Sequence, residues 1–244
     1  PETLARGFDY VLQIGKTPIV VNDSRGFYTS RVFGTYVMEG IAMLKEGVHP
    51  RSIEVAGLQA GMPMPPLALQ DEVSLSLSLH IAEQTRKDLE AEGKPVPVHP
   101  AHAVLVNVGA THGRVGKKAG QGFYDYSGKD KRLWPALTTL YPPRDDQPAQ
   151  AELVDRLLYA QANEAARCFE EGVVRSVADA NIGSIFGWGF APHHGGALQF
   201  INAVGPARFV ERARELAQRY GSRFEPAACV VQMADEGRLF EGTA

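Results

Sequence analysis

The sequence predicts a mainly α protein made of two tandem helical repeats, with a short α/β remnant at its N-terminus. Three observations carry this reading. Most of the chain places apolar residues at helical spacing. No second strand is expected after residue 27. The chain also resembles itself at an offset of 125 residues, where Arg31 meets Arg156 and Glu39 meets Glu164, and the "EGV" at 46–48 meets the "EGV" at 171–173.

The elements follow in order. "PETLARGFDYVLQI" sets Leu4, Phe8, Val11 and Leu12 on one helical face, and Gly15 stops it. "TPIVV", 17–21, is a short β-branched run read as a strand, and "NDSRG" turns the chain. One strand alone has nothing to pair with. Residues 1–24 are therefore read as the last helix and strand of an α/β domain. "YTSRVFGTYVMEGIAMLKEG" carries Val32, Phe33, Tyr36, Val37, Ile41 and Leu44 at helical spacing. Pro50 opens a further helix, at a position where a first turn tolerates proline. "VSLSLSLH" alternates like a strand, but its continuation "IAEQTRKDLEAEG" is helical, with Glu83 and Lys87 four apart in the favourable order. The reading is one helix from about Val73 to Glu92. "GKPVPVHP" and "GRVGKKAGQGFYDYSGKDK" are loops, and "YPPRDDQPAQ", 141–150, is a proline-rich linker. "AELVDRLLYAQANEAARCFEEGVV" then opens the second half. In each half a short helix, a Gly/Pro-rich turn ("GMPMPP", "GFAPHHGG") and an apolar helix follow the long one. The expected domains are 25–140 and 150–241.

Composition narrows the function classes. A net charge of −3, with scattered Lys and Arg, gives no basic surface for nucleic acid. No apolar run reaches the roughly 20 residues that span a bilayer, and no signal peptide is expected. Cys168 and Cys229 form no Cys-x-x-Cys, so a reducing, cytoplasmic setting fits best. The chain opens without Met, which fits a piece of something longer.

The motifs with chemical potential fall short one by one. His193 and His194 are adjacent, whereas paired zinc ligands stand three to five apart, and no third ligand is near. They read as the rim of a glycine-rich turn entering a helix. His49, His80, His99, His102 and His112 show no ligand spacing. "GRVGKKAGQG" fails the phosphate-loop pattern, with Thr111 where its first Gly belongs. "GQGFYD" and "GWGFAP" lack the third glycine of a dinucleotide fingerprint. No metal ligand, cofactor-binding or catalytic residue is assigned.

Four stretches together resemble the L-3-hydroxyacyl-CoA dehydrogenase family. "GKTPIVVNDSRGFYTSRVF" is similar to its "GK-x-P-V-V-V-x-D-x-P-G-F-x-x-N-R" junction, and "GLQAGMPMPPLALQDEVS" to "G-x-P-M-G-P-x-x-L-x-D". "GKKAGQGFYDY" resembles "G-x-K-x-G-x-G-F-Y-x-Y". "IFGWGFAPHHGGALQFINAVG" resembles the "G-x-G-F-P-P-x-x-G-G-x-x-x-x-x-D-x-x-G" of a second helical domain. That last element marks the multifunctional form, the fatty-acid oxidation complex α-subunit, in which enoyl-CoA hydratase precedes the dehydrogenase.

The resemblance implies two copies of the family's C-terminal helical domain, of the 6-phosphogluconate dehydrogenase C-terminal-like fold. It implies hydride transfer from C3 of a 3-hydroxyacyl-CoA to NAD, with a His as base and a Glu orienting it. Those residues, and the domain that mainly holds NAD, precede the junction; no "HFF" occurs here, so this chain alone is expected to be inactive. Ser30 stands where the family has a substrate-contacting Asn, with a helix N-cap as the alternative role. Phe186 stands where relatives have a substrate-touching Tyr, and a core aromatic is the plainer reading. Asn202 replaces an Asp, and Ala191-Pro192 replaces Pro-Pro. The partners implied are acyl-CoA, a second copy in a homodimer and a thiolase subunit. The rival readings are a dimerisation or docking module without catalysis, and a stand-alone acyl-CoA binder.

The junction turn supplies a test. Gly26→Val is expected to lower the melting temperature, because a β-branched side chain resists positive φ. An unchanged melting temperature would show that Gly26 does not need that conformation.

Overall fold

The structure, a computed structural model, describes residues 2–128 and 130–241. Helices α1 (Glu2–Gln13), α2 (Thr29–Lys45), α3 (Pro50–Gln59), α4 (Pro66–Val73), α5 (Leu75–Ala91) and α6 (Pro100–Leu105) come first. A π-helical turn, Val106–Thr111, extends α6. Strands β1 (Tyr124–Ser127) and β2 (Asp130–Leu133) precede the short α7 (Leu137–Leu140). The rest is α8 (Gln150–Glu170), α9 (Val177–Trp188), α10 (Ala197–Val204), α11 (Pro206–Tyr220) and α12 (Ala228–Glu236). The chain forms two compact units, residues 34–160 and residues 1–33 with 161–244, so the divisions fall inside α2 and α8.

Three readings of local structure change. "TPIVV" is not a strand: only Val21 forms an isolated antiparallel bridge, to Val174, beside a 2.8 Å bond from Asn22 N to Val173 O. With no neighbouring strand, β propensity alone builds no ladder. Conversely, the second glycine-rich loop contains an antiparallel hairpin, with Tyr124 opposite Leu133 and Ser127 opposite Asp130. Its strands are four residues long, and "DKRL" has no apolar alternation, so the usual strand signal is absent. The helix expected from Val73 is two helices, α4 and α5, broken at Ser74. Ser74 has φ +84°, rare for a residue with a side chain. Its N–H ends α4 on Gln70 O (2.9 Å), and its Oγ caps α5 by accepting from Leu77 N (3.2 Å).

In the 34–160 unit, Tyr36, Ile41, Leu44, Ile53, Leu67, Phe123 and Leu157 are buried. Among them lies Arg156, 0% exposed. Its Nε donates to Glu39 Oε1 at 2.7 Å, and its Nη1 lies 2.8 Å from Glu46 Oε2. Residues 141–149, without helix or strand, are held to Gly47: Arg144 N and Gln147 Nε2 donate to its carbonyl at 2.9 and 2.8 Å.

In the other unit, Tyr28 is buried and its hydroxyl donates to Ala180 O at 2.9 Å. Its ring meets Trp188 edge-on at 5.3 Å, and Trp188 Nε1 donates to Gln161 at 3.0 Å. A side chain at Gly183 would reach 2.7 Å from Ile19 Cδ1, so glycine sets how close α9 comes to Ile19. Arg31 pairs with Glu164, and its Nη2 reaches Glu171 at 2.8 Å. Add 125 to Arg31, Glu39 and Glu46, and the result is Arg156, Glu164 and Glu171. Each arginine thus holds the two glutamates that correspond to its counterpart's side of the offset.

Removing one partner of a buried ion pair strands the other. Arg156→Met is expected to destabilise the protein by about 3–5 kcal/mol in chemical denaturation. Arg31→Met, whose partner Glu171 is half exposed, should cost clearly less. Equal losses would refute the role given to burial.

Candidate functional site

The site starts from the turn before α2. Phe27 N donates to Ser24 O at 2.9 Å, Gly26 has φ +78° and Phe27 φ +48°. This turn delivers Tyr28 into the core and starts α2 at Thr29. Ser30 is therefore the second residue of the helix, not its N-cap, and it is exposed. Phe186 is not a core aromatic: it is 73% exposed. The cause is helical phase. Two residues apart means about 200° around the axis, and Trp188 takes the buried side against Tyr28.

Phe186 lines a cleft of about 350 Å³ with Ile182, Ile19, Lys16 and Thr29, floored by Gly183 and Gly187. Of the two residues expected to touch substrate, Phe186 lines this cleft and Ser30 does not; the α2 residue on its wall is Thr29. Sequence reasoning missed Thr29. Ile182 and Phe186, an i,i+4 apolar pair, were legible as one helical face, though nothing in the sequence said that the face is open.

His193 and His194 end a 3₁₀ turn, Pro192–His194, before α10. Their rings lie 4.1 Å apart, and His194 packs on Phe200 at 4.9 Å. Burial first, then the neighbouring His193, holds the His194 pKa below its usual value. The helix they lead into is fixed from α9: Ser184 Oγ accepts from Ala197 N, and Asn181 Oδ1 from Leu198 N and Gln199 N, at 3.0–3.1 Å. Among the described residues no three His, Cys, Asp or Glu side chains are grouped to hold a metal, and no helix is long and apolar enough to cross a membrane. The sheet there is the β1–β2 hairpin. It offers no parallel strand leading into a helix N-terminus, so the described residues do not fit the pyrophosphate of NAD.

The motif "GKKAGQGFYDY" belongs instead to a buried carboxylate cluster. Glu54 accepts from Leu67 N (2.8 Å) and Ala68 N (3.3 Å) at the start of α4, and from the Tyr124 hydroxyl. Asp71 accepts from Phe123 N (2.7 Å), Tyr124 N (2.9 Å) and the Tyr126 hydroxyl (3.0 Å). A Cβ at Gly122 would lie 2.0 Å from Asp71 Oδ1, so only glycine lets the hairpin dock here. Arg114 donates to Gly122 O and Tyr124 O and pairs with Asp125. Burial pushes Glu54 up to about 7 and Asp71 up to about 6, against these hydrogen bonds. The cluster ties β1 to α3 and α4.

A raised carboxylate pKa means that the folded state holds the proton more tightly than the unfolded chain. The stability contributed by Glu54 is fully present below its ordinary pKa of 4.5 and is lost as pH rises through about 7. Glu54→Gln is expected to flatten the fall in unfolding free energy across that window. An identical pH profile in the variant would refute the assignment.

Comparison with known proteins places this architecture. The 3-hydroxyacyl-CoA dehydrogenase, C-terminal domain family matches residues 26–126. The "Fatty acid oxidation complex subunit alpha" of Shewanella halifaxensis (strain HAW-EB4) is 36% identical over 243 residues, 98% of this chain. The match covers 33% of that relative, so the chain spans about a third of its length. The solved 3-hydroxybutyryl-CoA dehydrogenase of Escherichia coli K12 superposes with a TM-score of 0.75 at 20% identity, over 96% of this chain and 65% of its own. The dehydrogenase part of multifunctional enzyme 1 from C. elegans gives 0.60 at 17% identity, over 94% of this chain and 52% of its own. At such identities these two structures establish the shared fold. Residues 26–126 therefore belong to the 3-hydroxyacyl-CoA dehydrogenase C-terminal domain family, and the chain is homologous along nearly its whole length to a fatty acid oxidation complex α-subunit.

Proposed function

We propose that this chain is the C-terminal part of an NAD-dependent L-3-hydroxyacyl-CoA dehydrogenase of fatty-acid β-oxidation, and that it supplies the acyl-CoA side of the cleft. The observation that carries this is 36% identity along 98% of the chain to a fatty acid oxidation complex α-subunit. Because the chain spans a third of that relative, the NAD-binding domain, the catalytic His and Glu and the hydratase portion are assigned to the remainder. NAD, when bound by that remainder, accepts the hydride. The residues of this chain bind and orient the thioester and keep water away from it. Ser30 and Phe186, at the start of α2 and on the open face of α9, are the proposed contacts.

The internal organisation follows the same reading. Residues 1–24 are the end of the NAD-binding domain, and 25–140 and 150–241 are two copies of the helical domain. The two Arg–Glu–Glu sets, related by 125 positions, support duplication. A second reading, docking without catalysis, is favoured by α1. On one of its faces Leu4, Phe8 and Leu12 are all exposed, and none of its residues is buried. That face suits the rest of the dehydrogenase, a second copy or a thiolase subunit.

The two readings separate in an assay of acetoacetyl-CoA-dependent NADH oxidation. The chain is expected to be inactive, and a form extended upstream through an NAD-binding domain active. Activity in the short chain would overturn the assignment of the acid–base residues. Inactivity in both would favour docking.

A further inference from the structure

We infer that residues 94–98 are a docking segment for a partner that reads a polyproline II helix, through a groove of tryptophan and tyrosine side chains with a carboxylate at one end. The inference does not depend on the acyl-CoA role. It starts from "KPVPVHP", Lys94 to Pro100, which leads from α5 into α6. Proline fixes its own φ at about −65° and holds the residue before it extended. From Lys94 to His99 every residue except Val98 is a proline or precedes one. Among the described residues no peptide bond is cis, and His99 is extended, with φ −106° and ψ 135°.

Both ends of the segment are pinned. Lys94 N donates to Leu89 O at 2.8 Å, closing α5, and His99 Nδ1 accepts from Ala101 N at 3.3 Å, capping α6. Between them the chain forms neither helix nor strand, and every residue from 91 to 98 is exposed. Among the described residues the Val96 and Val98 backbones have no hydrogen-bond partner, which leaves them to solvent. A polyproline II helix repeats every three residues. On that period Lys94 and Pro97 share one edge, Pro95 and Val98 the next, and Val96 and His99 the third. The exposures divide in the same way: Val98 is 94% exposed, whereas Val96 is 37% exposed and His99 half-buried. The first two edges therefore face outward. Proline rings carry no donor, so those edges offer apolar faces and carbonyl acceptors. Tryptophan and tyrosine answer both, each with a flat ring and one N–H or O–H donor. A segment already extended and held at both ends loses little entropy on docking. Lys94 pairs at the surface with Glu92 (2.8 Å), a contact that a partner's carboxylate can replace.

The test titrates the 244-residue chain into an isotope-labelled SH3 domain that takes Lys-x-x-Pro-x-x-Pro ligands, and follows the amide resonances of the domain by NMR. The shifts are expected to gather in its aromatic groove. Pro97→Ala should weaken binding roughly 5- to 20-fold, the worth of one covered ring. Lys94→Glu should weaken it roughly 3- to 10-fold, by setting like charges together. Gln84→Ala, on the exposed side of α5, should stay within about twofold of the parent. Both segment variants should melt with the parent, because residues 91–98 bury nothing. No groove shifts with the parent chain would overturn the inference, and so would Pro97→Ala binding as the parent does. Slowed exchange of the Val96 and Val98 amide protons in the complex would mean that the segment joins a sheet edge as a strand, and would also overturn it.

Discussion

The fold depends on a charge that has nowhere else to go. Arg156 is fully enclosed, and an ion of that size costs several kcal/mol to take out of water. It is tolerable only because Glu39 on α2 and Glu46 in the turn just after it are placed to receive it. Those glutamates are seven residues apart, and Glu46 N still bonds Ala42 O past the end of α2, so both point to the side that receives Arg156. The requirement reaches beyond the pair. It fixes how α2 and α8 are rotated within the 34–160 unit, and so which of their other residues are left to form the core. Arg31, with Glu164 and Glu171, imposes the same constraint in the other unit at lower burial.

The cleft inherits its form from a second constraint. Tyr28 cannot reach Ala180 and Trp188 unless the turn before it takes positive φ at both Gly26 and Phe27. Once Trp188 is buried, helical phase leaves Phe186 in the open. The wall of the cleft is thus a by-product of packing on the opposite side of α9. The close approach at Gly183 then sets its depth.

Much of this was legible in the sequence, for identifiable reasons. Helices with a one-sided apolar pattern, such as α1, α2 and α8, announce themselves through period alone. The Arg–Glu–Glu correspondence was visible as an offset before any contact was known. Local departures were not legible. Ser74 breaks a helix through a left-handed conformation that serine seldom takes, and no neighbouring glycine or proline marks it. The hairpin hides because its strands are charged and are held by Asp71 and Arg114 rather than by an apolar face. At the candidate site, Phe186 was found by resemblance but placed on the wrong side, because burial of an aromatic depends on its neighbour two residues on.

The crossed arginine sets also limit how the gene can change. A recombination joint placed in the proline-rich segment at 141–149 would bring in a foreign Arg156 while keeping the resident Glu39 and Glu46. It would equally set a foreign Glu164 and Glu171 against the resident Arg31. The ion pairs tie these six positions together whatever the rest of the surface does. A recombinant keeps both sets of ion pairs only when both parents carry all six residues.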